Sequence, residues 1–209
     1  MKSIITLNDI EYMKDALGAS LPDVKSSHRV EALARGLGWA TNASMRAALA
    51  AAAAETAPDE GAFLDYLRQH SFDAPSGALL QAFAQAGLRR AMDLAPELSG
   101  FGYRVTRDRG ETPEEAEARF LKNRAEMLGD HSFDEFIRAA VFFSKFGRRK
   151  SMNRKRSSYG LKHDAEREAG DYVANGMLIA AALALGFSAE RTHAGSPNAY
   201  FNISSRRAA

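Results

Sequence analysis

The 209 residues contain no cysteine, which excludes disulfides, thiolate zinc sites and cysteine nucleophiles together. That suits a reducing compartment such as a bacterial cytoplasm. Long apolar runs are missing too. The two longest, 47–54 and 177–185, fall far short of the ~20 residues a membrane-spanning helix needs, so no membrane partner is expected. The first residues meet Asn8, Asp9 and Glu11 before any apolar core of a leader has formed, so no signal peptide is expected either. The five histidines are scattered and none has the spacing of a named metal motif; neither a metal nor a cofactor is implied. There is also no large excess of one charge sign, with Lys+Arg 28 against Asp+Glu 26. The expectation is a soluble, cytoplasmic protein with ordinary apolar content, long enough for one large or two small domains.

Because the overall charge is balanced, its local concentration carries information. The run 145–162, KFGRRKSMNRKRSSYGLK, holds Lys145, Arg148, Arg149, Lys150, Arg154, Lys155, Arg156 and Lys162 without one acidic residue. Such a cluster creates a field that attracts a polyanion. Asn153, Ser157, Ser158 and Tyr159 add hydrogen-bonding groups and a ring that can stack on a base. The expected partner is nucleic acid, DNA or RNA, contacted through Arg148, Arg149, Lys150, Arg154, Lys155, Arg156, Tyr159 and Lys162. Against this stand a merely solvated basic loop and a basic surface that grips a host or element-encoded protein complex.

Helix signals recur along most of the chain. Asn8, Ser27, Thr41 or Asn42, and Asp59 each precede apolar residues at helical spacing, and Gly18 and Gly38 supply stops. A further helix is predicted over 76–94, ended by Pro96. Leu33, Leu37, Met45, Leu49, Phe63, Leu67, Leu80 and Phe83 are the expected core of this half, with Trp39 plugging the turn after Gly38. The glycines at 100, 102 and 110 break the pattern and mark a domain boundary. Tyr103 to Thr106 lies between them as a short strand or loop. Thr112-Pro113-Glu114-Glu115 then combines N-cap, Pro at the first helical position and a capping Glu. Ser132 to Glu135 reads as a second capping box opening a helix over 133–146. Helices are also predicted over 159–169 and 175–185, with Asn175 as cap, followed by a hairpin over 187–204 turning at Pro197 and Asn198. The fold class expected is mainly α, a multi-helix protein with a small C-terminal β-hairpin. Its domains are 1–98 and 111–209.

Two segments are candidates for function beyond the basic run. Over 28–49, Leu33, Ala34, Leu37 and Gly38 have the spacing of the first helix and turn of a helix-turn-helix. Thr41, Asn42, Ser44 and Arg46 follow where a recognition helix would begin. The buried aliphatic expected after the turn falls one place late, at Met45. The same residues also resemble a helical hairpin, S-H-x-x-E-A-L-A-x-x-L-G-[FW], found in plasmid-borne and glyoxalase-related proteins without DNA binding. Two helices and a hairpin near the C-terminus have the layout of a winged helix-turn-helix. However, its recognition position is GMLIAAALALG, which has no side chain able to read a base edge and reads as core.

The second segment is dense in polar groups: Ser158, Tyr159, Lys162, His163 and Glu166, then Tyr172, Asn175, Asn198, Tyr200 and Asn202. On a helix Tyr159, Lys162, His163 and Glu166 share one face. His163 and Glu166 have the residue types of a general base or of a small metal-dependent nuclease. A hydrogen-bond network joining this helix to the hairpin explains the cluster more economically. The pattern SSYGLKH…YVxNGxLIAAALxLGF…SPNAYFNIS over 157–204 resembles small uncharacterised proteins of bacterial plasmids and integrative mobile elements. That resemblance implies a mobile-element setting and no particular reaction. Together these observations predict a non-enzymatic accessory protein that binds nucleic acid in regulation, replication or transfer, or counter-defence.

Overall fold

The computed structural model describes residues 2–104 and 110–207. Its contacts divide the chain into residues 1–89 and 90–209. The division falls inside a helix rather than in the glycine-rich segment expected as the boundary. Leu98 to Tyr103 therefore belongs to the second unit, while Val105 and Thr106 lie outside the described residues.

In the first unit, β1 (Ser3–Ile5) leads into α1 (Leu7–Ser20), followed by α2 (Ser26–Gly36), α3 (Asn42–Ala51), β2 (Ala54–Thr56) and α4 (Glu60–Gln69). The α1 cap is Thr6: its N–H and hydroxyl both donate to the buried Asp9 carboxylate, at 2.7 Å each. Asp59 caps α4 by accepting from the Ala62 N–H at 3.0 Å. The alanine run does not stay helical to its end. Ala52 turns extended, and Ala54 pairs antiparallel with Ile5, so tertiary pairing overrides a strong local helix preference. Ile10, Met13, Leu17, Leu33, Met45, Phe63 and Leu67 form a core with almost no exposure. Trp39 packs against it as a partly buried ring, in keeping with its expected place at the turn. Leu80, expected in the core, is 46% exposed. In α5 (Ala78–Leu94) the buried stripe runs through Leu79, Phe83 and Ala86, and Leu80 is one residue off it.

The second unit holds the end of α5 and a small hairpin of β3 (Leu98–Ser99) and β4 (Gly102–Tyr103). Then come α6 (Pro113–Ala125), a single 3-10 turn (Glu126–Leu128), α7 (Asp130–Phe143), β5 (Phe146–Asn153), α8 (Ser158–Ala169), α9 (Asn175–Ala184), β6 (Ala189–Arg191) and β7 (Ala199–Arg207). Thr112 and Glu115 form the predicted capping box, with Thr112 N–H to Glu115 Oε2 at 2.8 Å. Ser132 to Glu135 does not form one. Here α7 starts earlier, after Gly129, and Glu135 is freed to accept the Ala174 N–H at 2.7 Å, capping α9 from a distance. Arg124 crowns the C-terminus of α5, donating to the carbonyls of Met92, Ala95 and Leu98. The apolar α9 is buried on every side, as its composition predicts.

The expected hairpin is present as β6 and β7, and β5 joins it in an antiparallel sheet of order β5-β7-β6. Ala199, Phe201 and Ile203 of β7 turn inward, where Phe201 meets Phe143 edge-on at 5.2 Å. The third strand is the main departure from the sequence reading, because β5 is the first half of the basic run, with Arg154, Lys155 and Arg156 in the turn that follows it.

Candidate nucleic-acid interface

Strand β5 exposes five consecutive residues, Gly147 to Ser151, so Arg148, Arg149 and Lys150 stand in solvent on both faces of an edge strand. Without apolar alternation it has no sequence signature of a strand. It is held by its neighbour: Arg148 pairs with Ile203, Asn153 with Phe201, and irregular register lies between. Side chains of β7 secure it. Asn202 accepts the Ser188 N–H at 2.7 Å and donates to the Arg149 carbonyl at 2.9 Å, and Ser204 Oγ accepts the Gly147 N–H at 3.1 Å. Asn202 is thus the clip that presents Arg149. Tyr200, on the same outer face of β7, is half-buried. The register also sets Arg207 opposite Phe146.

The run is less positive in space than in sequence. Lys145 pairs with Glu168, Arg154 with Glu190 at 2.8 Å, and Arg156 with Asp164, while Arg148 is also engaged. Arg149 reaches Ser151 Oγ at 3.3 Å. Among the described residues, the ammonium groups of Lys150 and Lys155 have no partner, and no carboxylate pairs with Arg149. The three acceptors Asp164, Glu168 and Glu190 come from α8 and β6, so the partial neutralisation is invisible without the fold.

Lys162 was expected to meet nucleic acid, but it is 7% exposed and committed internally. It donates to Glu166 Oε1 at 2.6 Å and to the Val173 carbonyl at 3.2 Å. Glu166 also accepts the Val173 N–H and contacts His163 Nδ1 at 2.7 Å. Burial alone would raise the Glu166 pKa, but the bonds from Lys162, His163 and Val173 outweigh it and hold the carboxyl below its usual range. A carboxylate with this many donors is tied to fixing residue 173 against α8, which leaves little of it for general-base work. Tyr159 and Tyr172, flanking Lys162, are both exposed.

The remaining polar residues are brought together as a knot. Asn175 is not the N-cap of α9, a position taken by Ala174. Its side chain instead donates to the carbonyls of Phe101 and Pro197 and to Asn198 Oδ1, at 3.3, 3.1 and 3.1 Å. Ser158 Oγ accepts the Ala199 N–H, joining α8 to β7. The Gly176 N–H donates to Gly100 O at 2.9 Å, and a Cβ on Gly176 would lie 1.8 Å from Ser99 O. The motif residues Ser158, Asn175, Gly176, Pro197 and Asn198 therefore tie α8, α9, the β3–β4 turn and the hairpin to one another.

The helix-turn-helix-like segment offers little to a groove. Thr41 and Ser44 bond each other as a capping box, the Asn42 N–H donates to Glu31, and Arg46 pairs with Glu11 at 2.7 Å. The rest of the exposed α3 surface is mostly alanine. Compared with protein-family models, curated proteins and solved structures, the chain matches none.

Proposed function

We propose that this chain is a nucleic-acid-binding accessory protein of a bacterial mobile element, without catalytic activity of its own, acting in the cytoplasm in regulation, replication or transfer, or counter-defence. The observation that carries this reading is the display of Arg149, Lys150 and Lys155 on and beside an exposed edge strand, with no carboxylate paired to them among the described residues. Cations held on a rigid element and not neutralised from within are available to phosphates, and phosphate contacts supply most sequence-independent affinity. Tyr159 stands at the end of the same run with its ring exposed. The mobile-element setting rests on the resemblance of residues 157–204 to plasmid and integrative-element proteins.

A second reading has its own observation. As an edge strand, β5 has one side turned away from the sheet, and an extended acidic segment of a partner protein would add there as a further strand. Fluorescence anisotropy with labelled DNA and RNA at low salt decides between the two. Binding that is lost when Arg149, Lys150 and Lys155 become glutamine supports the nucleic-acid reading. Failure of the unmodified protein to bind either polymer overturns it in favour of the protein partner.

A further inference from the structure

The basic strand accounts for phosphate contacts, but not for two tyrosines that the fold leaves in water. Tyr159, in the first turn of α8, is 54% exposed, and Tyr172, in the loop before α9, is 55% exposed. Both lie against one buried cation. The Lys162 ammonium lies over the Tyr172 ring at 4.6 Å from its centre and over the Tyr159 ring at 6.0 Å. The two ring centres are therefore no farther apart than those distances combined. Lys162 is itself fixed by Glu166 and the Val173 carbonyl. His163 meets Tyr159 edge-to-face at 4.7 Å, and Arg138 donates to the Tyr172 carbonyl at 3.2 Å.

From this geometry we infer that Tyr159 and Tyr172 form a paired stacking site for unpaired bases, so that the nucleic acid held by the basic strand is single-stranded. The inference rests on the nucleic-acid reading above and specifies its ligand. The lysine lies over each ring by a cation–π contact and His163 also meets Tyr159, yet about half of each tyrosine remains exposed to solvent. Rings fixed in this way lose little conformational freedom when a base stacks on them. Stacking on aromatic side chains is available to every base but only where the base is unstacked, as in single strands, loops and ends. The phosphates leading to the site would pass Lys155, four residues before Tyr159.

The test compares labelled oligo(dT), oligo(U) and a duplex of equal length, using the full chain. Tyr159→Ala and Tyr172→Ala are each expected to weaken single-strand binding about 5- to 150-fold, the range for loss of one stacked base, and to leave duplex binding unchanged. Tyr172→Trp supplies a measurement that does not depend on an alanine variant folding. With Trp39→Phe made alongside it, residue 172 carries the sole indole, and its emission is expected to be quenched by oligo(dT) or oligo(U) and not by duplex. Alanine variants that bind single strands as the unmodified protein does, together with an unquenched indole, overturn the stacking site. If the Arg149, Lys150 and Lys155 substitutions still abolish binding in that case, the electrostatic interface stands and only the single-strand assignment fails. No binding of any polymer by the unmodified protein removes both.

Discussion

The number of cations that meet phosphate can be read from the salt dependence of binding, and the structure fixes what that number should be. Seven basic residues lie between Lys145 and Arg156 in the sequence. If all seven contacted a single strand, the log–log slope of affinity against salt would be about −5, and raising salt from about 50 to 200 mM would cost nearly 1,000-fold in affinity. The structure pairs Lys145, Arg154 and Arg156 with Glu168, Glu190 and Asp164, and Arg148 is engaged as well. A phosphate that displaces one of these carboxylates leaves a negative charge beside the strand, so the exchange gains little even though a surface ion pair is worth only about 0–1 kcal/mol. Three contacts remain, from Arg149, Lys150 and Lys155. The expected slope is then about −2 and the loss over the same salt range about 20-fold. Replacing those three residues with glutamine should bring the slope close to zero, and circular dichroism should be unchanged because none of them supports the core. Anisotropy titrations of labelled oligonucleotides at four salt concentrations give the slope directly. A slope near −5 would falsify the claim that the internal ion pairs withhold their cations. An unchanged slope in the triple variant would show that binding, if any, occurs elsewhere.

Other consequences concern the framework. Gly176→Ala sets a methyl 1.8 Å from Ser99 O and 2.7 Å from Gly100 O, both backbone atoms that cannot swing aside. It should destabilise the protein by about 3 kcal/mol or more, read as a fall in urea midpoint; a wild-type midpoint would contradict the close approach. Arg124→Met keeps the stem but removes the guanidinium donor from the carbonyls of Met92, Ala95 and Leu98, of which Ala95 O still accepts the Leu98 N–H, for a cost of about 1–3 kcal/mol in the same assay. Glu166 has a depressed folded pKa, so its stabilisation is complete above the ordinary glutamate range and is lost as pH falls through the folded value. The difference in stability between the unmodified protein and Glu166→Gln should therefore be largest near pH 7 and narrow below about pH 4. A difference that stays constant down to acid pH would show that the carboxylate is not held by its three donors.

Helix placement was legible at most of the local signals, although Thr6 and Lys25, rather than Asn8 and Ser27, are the N-caps of α1 and α2. Thr41, Asp59 and Thr112 cap as read, Gly170 takes the left-handed conformation at the end of α8, and the wholly apolar α9 is core. Caps and apolar periodicity act within one or two turns of chain, so the order of residues is enough to reveal them. The other errors share an opposite cause. Ser132 to Glu135 looks like a capping box, yet Glu135 serves the N-terminus of α9, thirty-nine residues away. Asn175 looks like a cap, yet it bridges Phe101, Pro197 and Asn198. In each case a side chain can satisfy either a local or a distant backbone group, and only packing selects between them.

The basic run divides in the same way. Its concentration of charge is a property of the sequence, as are the absence of thiol chemistry and the mainly helical character. That the first half of the run is a strand, that Asp164, Glu168 and Glu190 neutralise part of it, and that Lys162 is buried against two tyrosines were decided by tertiary structure alone. Charge density is additive along a chain, whereas ion pairing and burial depend on which distant carboxylates and rings the fold brings within a few ångströms.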